Sequence, residues 1–178
     1  MGRMKFTSRE HFGSICCLGV THERSAEFIS GAKDSSIKVW NSSGKCLRTM
    51  RNHRGAVNSI SFLEEEGRDY RSSRIVSGSA DANVRLWNIR DGRCMGILRG
   101  HKTPVTVVCW PTESIVISGA KDGKLKLWDL NESRCIRTLN GHKGSVTGLV
   151  CGSRSAVSAS KDGTLRVWDI STTTTSST

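Results

Sequence analysis

Apolar and basic residues alternate with a period of two in four short segments along the chain. The four segments are "IKVW", "VRLW", "LKLW" and "LRVW". Such alternation is typical of a β-strand with one face buried and the other in water. Further short apolar runs surround these segments, and Asp-Gly pairs, as in "KDGK" and "KDGT", predict tight turns between strands. No segment has helical periodicity of useful length, so the pattern predicts an all-β fold.

The same four residue types recur in the same order around each of these segments. An aspartate lies six residues before each tryptophan, a serine lies four residues before each aspartate, and a histidine lies further upstream. The four sets are His11, Ser30, Asp34 and Trp40; His53, Ser77, Asp81 and Trp87; His101, Ser118, Asp122 and Trp128; and His142, Ser158, Asp162 and Trp168. A small sheet cannot bury both faces alone, so repeated sheets must stack on one another, and radial stacking produces a β-propeller.

The ends of the repeats resemble the WD40-repeat family. Tryptophan is followed by aspartate in Trp128–Asp129 and Trp168–Asp169, and glycine precedes histidine in Gly100–His101 and Gly141–His142. The resemblance implies a WD40 domain over residues 1–170 with four blades of four-stranded antiparallel sheet. We expect the blades to span residues 8–52, 53–99, 100–140 and 141–170, and residues 171–178 to form a disordered Ser/Thr tail.

In that family the His, Ser, Asp and Trp of one blade form a buried chain of hydrogen bonds. The resemblance therefore implies that the four sets are structural tetrads, which stabilise each blade. The same residue types also occur in hydrolase triads, but a nucleophile is needed once, in a strained and exposed turn, whereas this set occurs four times. The sequence thus predicts no enzymatic activity and no catalytic residue.

Family propellers usually close with seven or eight blades, and this chain supplies four. Three arrangements remain open: a fragment or mixed assembly, a homodimer that completes an eight-bladed propeller, and a closed four-bladed ring. The last unit has no obvious fourth strand, and "KFTS" at residues 5–8 is a candidate to supply it.

The charge balance indicates the kind of partner. Twenty-seven Lys and Arg residues against 16 Asp and Glu residues produce a net charge of +11. In the family, the residue before the tetrad aspartate and the residue after the histidine face partners. The basic residues at these positions are Lys33, Arg54, Lys102, Lys121, Lys143 and Lys161. They favour an acidic or phosphorylated protein segment, or RNA phosphate as the alternative.

Two further segments have alternative interpretations. "WNIR" at Trp87–Arg90 is similar to a WDxR motif by which some family members contact a ubiquitin-ligase adaptor, so a substrate receptor is another candidate function. The mixed-charge insertion at residues 64–74 is either a solvated loop or a docking loop.

The seven cysteines are odd in number and include no CxxC, so the sequence predicts neither a disulfide nor a metal site, and no cofactor. A reducing compartment follows, either cytoplasm or nucleus. No apolar run suits a signal peptide or approaches the ~20 residues of a membrane span, so no membrane partner is expected. Together these features predict a scaffold for protein–protein interactions in a multiprotein complex.

Overall fold

The structure is a computed structural model that describes residues 6–20, 28–62 and 74–171. The described residues form fifteen β-strands and no helix, which confirms the all-β prediction. No helix among them is long and apolar enough to cross a membrane.

The strands form four antiparallel sheets, each folded as a meander in chain order. The first sheet contains β1 (Ile15–Val20), β2 (Phe28–Ala32), β3 (Ser36–Trp40) and β4 (Cys46–Arg51). The second contains β5 (Val57–Phe62), β6 (Arg74–Ser79), β7 (Val84–Asn88) and β8 (Cys94–Leu98). The third contains β9 (Val105–Thr112), β10 (Ile115–Ala120), β11 (Leu125–Asp129) and β12 (Arg134–Leu139). The fourth contains β13 (Val146–Cys151), β14 (Ser155–Ser160) and β15 (Leu165–Asp169).

The fourth blade has three strands in the described part of the chain, in agreement with the lack of an obvious fourth strand in its sequence. Residues 6–14 contain no strand, and the ring of Phe6 lies against Gly44 in the first blade. The described part of the proposed N-terminal strand therefore packs within its own blade. Lys5 of that segment, residues 64–73 of the insertion and residues 172–178 of the tail lie outside the described residues.

Three apolar clusters hold consecutive blades together. Ile37 and Val39 of the first blade pack with Ile75 and Trp87 of the second, and equivalent clusters join the second blade to the third and the third to the fourth. The first strands of the blades, β1, β5, β9 and β13, lie next to one another along the inside of the arc. At every junction one face of a blade packs against the opposite face of the next blade, so the blades repeat a single packing arrangement.

A disulfide joins Cys109 on β9 to Cys151 on β13, with their Cα atoms 6.5 Å apart. The prediction that the chain has no disulfide is therefore wrong for this pair. The two residues are 42 apart in sequence, and no local spacing shows that adjacent inner strands bring them together. The cysteine content consequently no longer supports a reducing compartment.

The arc of four blades is open at both ends. Leu18 on the first blade is 71% exposed and Val167 on the fourth is 75% exposed, although both carry apolar side chains. Val39, which occupies in the first blade the repeat position of Val167, is fully buried. Each end of the arc thus presents an apolar sheet face of the kind that the interior junctions bury.

Candidate partner-binding face

Backbone hydrogen bonds bring two loops of each blade to the same edge of its sheet. The histidine loop precedes the first strand, and the aspartate turn joins the second strand to the third. The N–H of Lys33 donates to the carbonyl of Ser14 at 2.9 Å, and Lys121 donates likewise to Pro104 at 2.9 Å. The same bond occurs in the second and fourth blades. We call the edge formed by these loops in the four blades the loop face.

A buried serine hydroxyl lies at the centre of each tetrad. In all four blades the tryptophan Nε1–H donates to this oxygen at 2.8 Å. The histidine Nε2 lies 2.7–2.8 Å from the same oxygen. The four serines are at most 1% exposed. Each tetrad serine is therefore buried, with its oxygen held between the tryptophan and the histidine of its own blade.

The aspartate completes the tetrad in the first, second and fourth blades. A carboxylate oxygen lies 2.9 Å from Nδ1 of His11, 2.8 Å from Nδ1 of His53 and 3.1 Å from Nδ1 of His142. In each case the same oxygen also accepts the backbone N–H of the residue after the histidine, at 2.7–3.0 Å. One carboxylate thus fastens the histidine loop to the aspartate turn and positions Arg54 and Lys143 beside it.

These hydrogen bonds determine the charge states of the tetrads. Burial of Asp34 opposes its ionisation, but hydrogen bonds, above all from the Ser36 hydroxyl, hold the pKa of its carboxyl well below the usual range. Burial also opposes ionisation of Asp81, yet hydrogen bonds from the Arg54 N–H and the His53 ring lower its pKa to about 2. Burial lowers the pKa of His53. A neutral histidine beside an ionised carboxylate must carry its hydrogen on Nδ1.

The residue two positions after the aspartate is a further member of the network that the sequence analysis missed. The Ser36 hydroxyl donates to Asp34 at 2.6 Å and the Thr164 hydroxyl donates to Asp162 at 2.7 Å, while in the second blade the N–H of Asn83 donates to Asp81 at 3.0 Å. A signal for this role is present in the sequence, since the position holds Ser, Asn and Thr in three blades.

The third tetrad is incomplete, which corrects the assignment of Asp122 to it. No described residue lies within hydrogen-bond distance of Nδ1 of His101, although His101 is only 8% exposed. Asp122 is exposed, whereas the aspartates of the other three tetrads are half-buried. The Asp122 carboxylate accepts the N–H of Lys124 at 3.2 Å. The bond from the N–H of Lys102 to the aspartate, made by its counterparts in the other blades, is also missing.

The difference originates at the second residue after the histidine. This residue is glycine in the other three blades, and in each of them an added Cβ would lie only 2.8–3.0 Å from the aspartate nitrogen. Thr103 occupies the position in the third blade, and its hydroxyl accepts the N–H of Asp122 at 3.2 Å. Because the threonine side chain occupies the space that the aspartate turn needs, Asp122 cannot reach His101. Lys124, two positions after the aspartate, donates its backbone N–H to Asp122 as Asn83 donates to Asp81, so this position does not distinguish the third blade from the second.

All six basic side chains predicted for the partner face are exposed on the loop face. They are Lys33, Arg54, Lys102, Lys121, Lys143 and Lys161. No ion pair joins any of them to another described residue. Their charges are therefore available to a partner.

The residue after each tryptophan has a local structural role. Asn88 Oδ1 accepts the N–H of Arg90 at 2.9 Å, and Asp129 Oδ1 accepts the N–H of Asn131 at 2.8 Å. Aspartate and asparagine are equivalent in such a turn, which explains why the position holds asparagine in the first two blades and aspartate in the last two. Within the described residues no group of three His, Cys, Asp or Glu side chains could hold a metal ion.

Comparison with known proteins agrees with this architecture. The family model "WD domain, G-beta repeat" matches residues 2–41, 44–88, 92–129 and 133–169. The ribosome biogenesis protein YTM1 of Debaryomyces hansenii is 27% identical over 84 residues, which cover 44% of this chain and 18% of that protein. The nuclear distribution protein nudF 2 of Penicillium rubens is 29% identical over 75 residues, or 33% of this chain and 16% of that protein.

Solved structures are similar over nearly the whole chain. The computationally designed Ika4 protein superposes with a TM-score of 0.79 and 32% identity, over 96% of this chain and 100% of that one. The WD40 repeats of RRP9 superpose with a TM-score of 0.80 and 29% identity, over 91% of this chain and 50% of that one. The chain thus spans about half the length of that structure, and less than a fifth of each curated relative named above.

Proposed function

Because the chain belongs to the WD40 repeat family, we propose that it is a non-catalytic scaffold that holds partner proteins within a multiprotein complex. The observation that carries the proposal is the set of six exposed basic side chains on the loop face, none of them paired with a described residue. The tetrad carboxylate fixes these loops in the first, second and fourth blades, and a backbone hydrogen bond joins the two loops in all four, so the loops hold the charges in a defined arrangement. A rigid basic surface favours acidic or phosphorylated segments of a partner.

The absence of catalysis is supported by the burial of the tetrad serines. A nucleophile must reach the substrate, whereas each tetrad serine is at most 1% exposed and its oxygen already accepts the tryptophan N–H. The histidine and aspartate beside it therefore stabilise the blade and do not activate the hydroxyl.

Charge reversal on the loop face tests the proposal. We expect Lys33→Glu, Lys121→Glu and Lys161→Glu together to abolish capture of acidic partners by the immobilised chain. The matched control is Lys45→Glu, Arg93→Glu and Arg154→Glu, which changes the net charge equally on exposed turns at the opposite edge. Equal loss of binding in both variants, or no loss in the first, would contradict the proposal.

RNA binding is the second candidate, since the same side chains could contact phosphates and one relative is named for ribosome biogenesis. An RNA partner predicts that the logarithm of the binding constant falls steeply and linearly with the logarithm of salt concentration. A protein partner predicts competition by one acidic peptide. The name of that relative also supports the nucleus over the cytoplasm as the location.

We also propose that further blades of the same kind cover the two open faces, and that a second copy of the chain can supply both. Ile15 occupies the repeat position of Val57, and Leu165 occupies that of Ile37. Ile37 and Val57 are both fully buried at the junction between the first and second blades. The two open faces carry the equivalent residues, so they can pack against each other in the same way. Two chains would then form eight blades with the same junction throughout.

The mass of the protein in solution tests this assembly. A second copy predicts about 39 kDa, twice the 19.5 kDa of one chain. Val167→Glu should return the mass to one chain, because a buried carboxylate without a partner is costly. Met95→Glu is the control, since Met95 is 53% exposed in a blade that is flanked on both sides. A single-chain mass for the unaltered protein would refute the second copy.

A further inference from the structure

The incomplete third tetrad leaves a cleft at the loop face. The cleft has a volume of about 220 Å³ and is lined by His101, Lys102, Asp122, Lys124 and Lys126, among others. It lies between the histidine loop and the aspartate turn, which the carboxylate fastens together in the other three blades. The volume is several times the ~30 Å³ of one water molecule.

Two groups that bind the carboxylate oxygen in the other blades lack that acceptor in the third blade. In the other blades the oxygen accepts from both the histidine Nδ1 and the next backbone N–H. The corresponding groups here are Nδ1 of His101 and the N–H of Lys102, and neither has such an acceptor among the described residues. Nε2 of His101 lies 2.7 Å from the Ser118 hydroxyl, as in the complete tetrads. We assign His101 the tautomer with its hydrogen on Nδ1, because the Ser118 hydroxyl occupies the same position between the Trp128 N–H and Nε2 as in the complete tetrads.

The charges around the cleft favour an anion. Three lysines line it against the single carboxylate of Asp122. The ammonium group of Lys126 donates to the Thr138 hydroxyl at 2.9 Å, a neutral acceptor, and no described acid pairs with Lys102 or Lys124. An oxyanion that entered the cleft would thus meet the ring of His101, the N–H of Lys102 and an excess of positive charge.

We propose that this cleft binds the phosphate of a phosphorylated side chain on a protein partner, with one phosphate oxygen in the place of the missing aspartate oxygen. The proposal rests on the function proposed above and assigns one site on the loop face. A phosphate monoester carries a charge near −2, which balances the three lysines and the Asp122 carboxylate of the cleft. A ligand with one carboxylate would carry only half of that charge. The phosphate monoester also projects from the end of a side chain and can enter a cleft, whereas an RNA phosphodiester is flanked by sugars on both sides.

A repair of the tetrad tests the proposal. Thr103→Gly restores the residue found in the other three blades, so Asp122 can close on His101 and exclude the ligand. The probe is a short Gly/Ala peptide with one phosphoserine, compared with its unphosphorylated form and with the same peptide carrying glutamate. The readouts are the affinity, the backbone amide shift of Lys102 and the ring nitrogen shift of His101 by NMR.

We expect the phosphopeptide to shift the Lys102 amide and the His101 ring in the unaltered protein, and to bind at least tenfold more weakly to Thr103→Gly. The double variant Thr103→Gly with Asp122→Ala should recover the affinity, because it lacks the carboxylate that closes the cleft. Failure of the double variant to recover, or equal binding of the glutamate peptide, would overturn the assignment.

The two proposals can fail separately. If the triple charge reversal abolishes phosphopeptide binding but Thr103→Gly leaves it unchanged, the loop face binds the peptide elsewhere and the cleft assignment is wrong. If neither variant changes binding, both proposals are wrong. Folding of each variant is checked by the dispersion of its NMR spectrum.

Discussion

At the scale of single residues, the aspartate turns show how small side chains control this fold. The residue after each tetrad aspartate has a positive φ, near +65° at Ser35 and Ala82 and +81° at Gly123 and Gly163. Glycine adopts this conformation freely, whereas a Cβ makes it costly. Two of the four turns therefore carry a backbone conformation that their own residue disfavours.

Replacement of Ala82 by glycine should stabilise the protein. The left-handed conformation of Ala82 costs about 1 kcal/mol, and glycine removes this cost. Glycine also makes the unfolded chain more flexible, which offsets part of the benefit, so we expect the free energy of unfolding to rise by about 0.5 kcal/mol. The measurement is urea unfolding. Ala80→Gly, in the same turn but without a positive φ, is the control and should destabilise slightly.

His101 should make stability depend on pH. Burial, together with the nearby charge of Lys126, lowers the pKa of His101 to about 4. The unfolded chain binds this proton near pH 6.5. The contribution of neutral His101 to the free energy of unfolding is therefore complete above pH 6.5. About 3 kcal/mol of this free energy is lost as the pH falls towards 4. The free energy of unfolding, measured with urea at several pH values between 6.5 and 5, should change less steeply with pH in His101→Gln than in the unaltered protein. An unchanged pH dependence would contradict the assignment.

At the scale of the element, a blade is a meander whose two loops are tied by one carboxylate. Three blades have this tie, and the third lacks it because Thr103 occupies the space of a glycine. The third blade remains folded because its tryptophan and serine are still bonded and its neighbours bury both faces. Tertiary packing thus stabilises the blade while the tie fixes the loops.

The same substitution should have different effects in two blades. Asp81 accepts hydrogen bonds on both carboxylate oxygens, and asparagine offers a single acceptor, so Asp81→Asn should lower the free energy of unfolding by about 1–3 kcal/mol. Asp122→Asn should change it by less than about 0.5 kcal/mol, because that side chain is exposed. Thermal or urea unfolding measures both, and equal effects would show that Asp122 belongs to a complete tetrad.

At the scale of the whole molecule, the fourth blade is the least supported. It has three strands in the described residues, its outer face is exposed, and it is held by one apolar junction and the disulfide from β9 to β13. Repeat proteins depend on contacts between neighbours, so a terminal repeat with one neighbour opens most easily.

Loss of the disulfide should loosen the fourth blade first. We expect Cys109→Ser with Cys151→Ser to reduce stability by about 2–4 kcal/mol and to increase hydrogen exchange in β13–β15 before the other blades. Cys46→Ser with Cys135→Ser is the control, because both are free thiols at one repeat position on outer strands. Seven reactive thiols in the unreduced, denatured chain, instead of five, would show that the disulfide is absent.

The sequence alone determined the repeated sheet and the position of each tetrad residue, because the alternation of apolar and basic residues and the spacing of His, Ser, Asp and Trp are local properties. Tertiary structure decided the three features on which chemistry and assembly depend. The disulfide joins residues of different blades, the open faces arise from the number of neighbours, and the third tetrad depends on the space between two loops. These are properties of distance between segments far apart in the chain, which residue spacing does not encode.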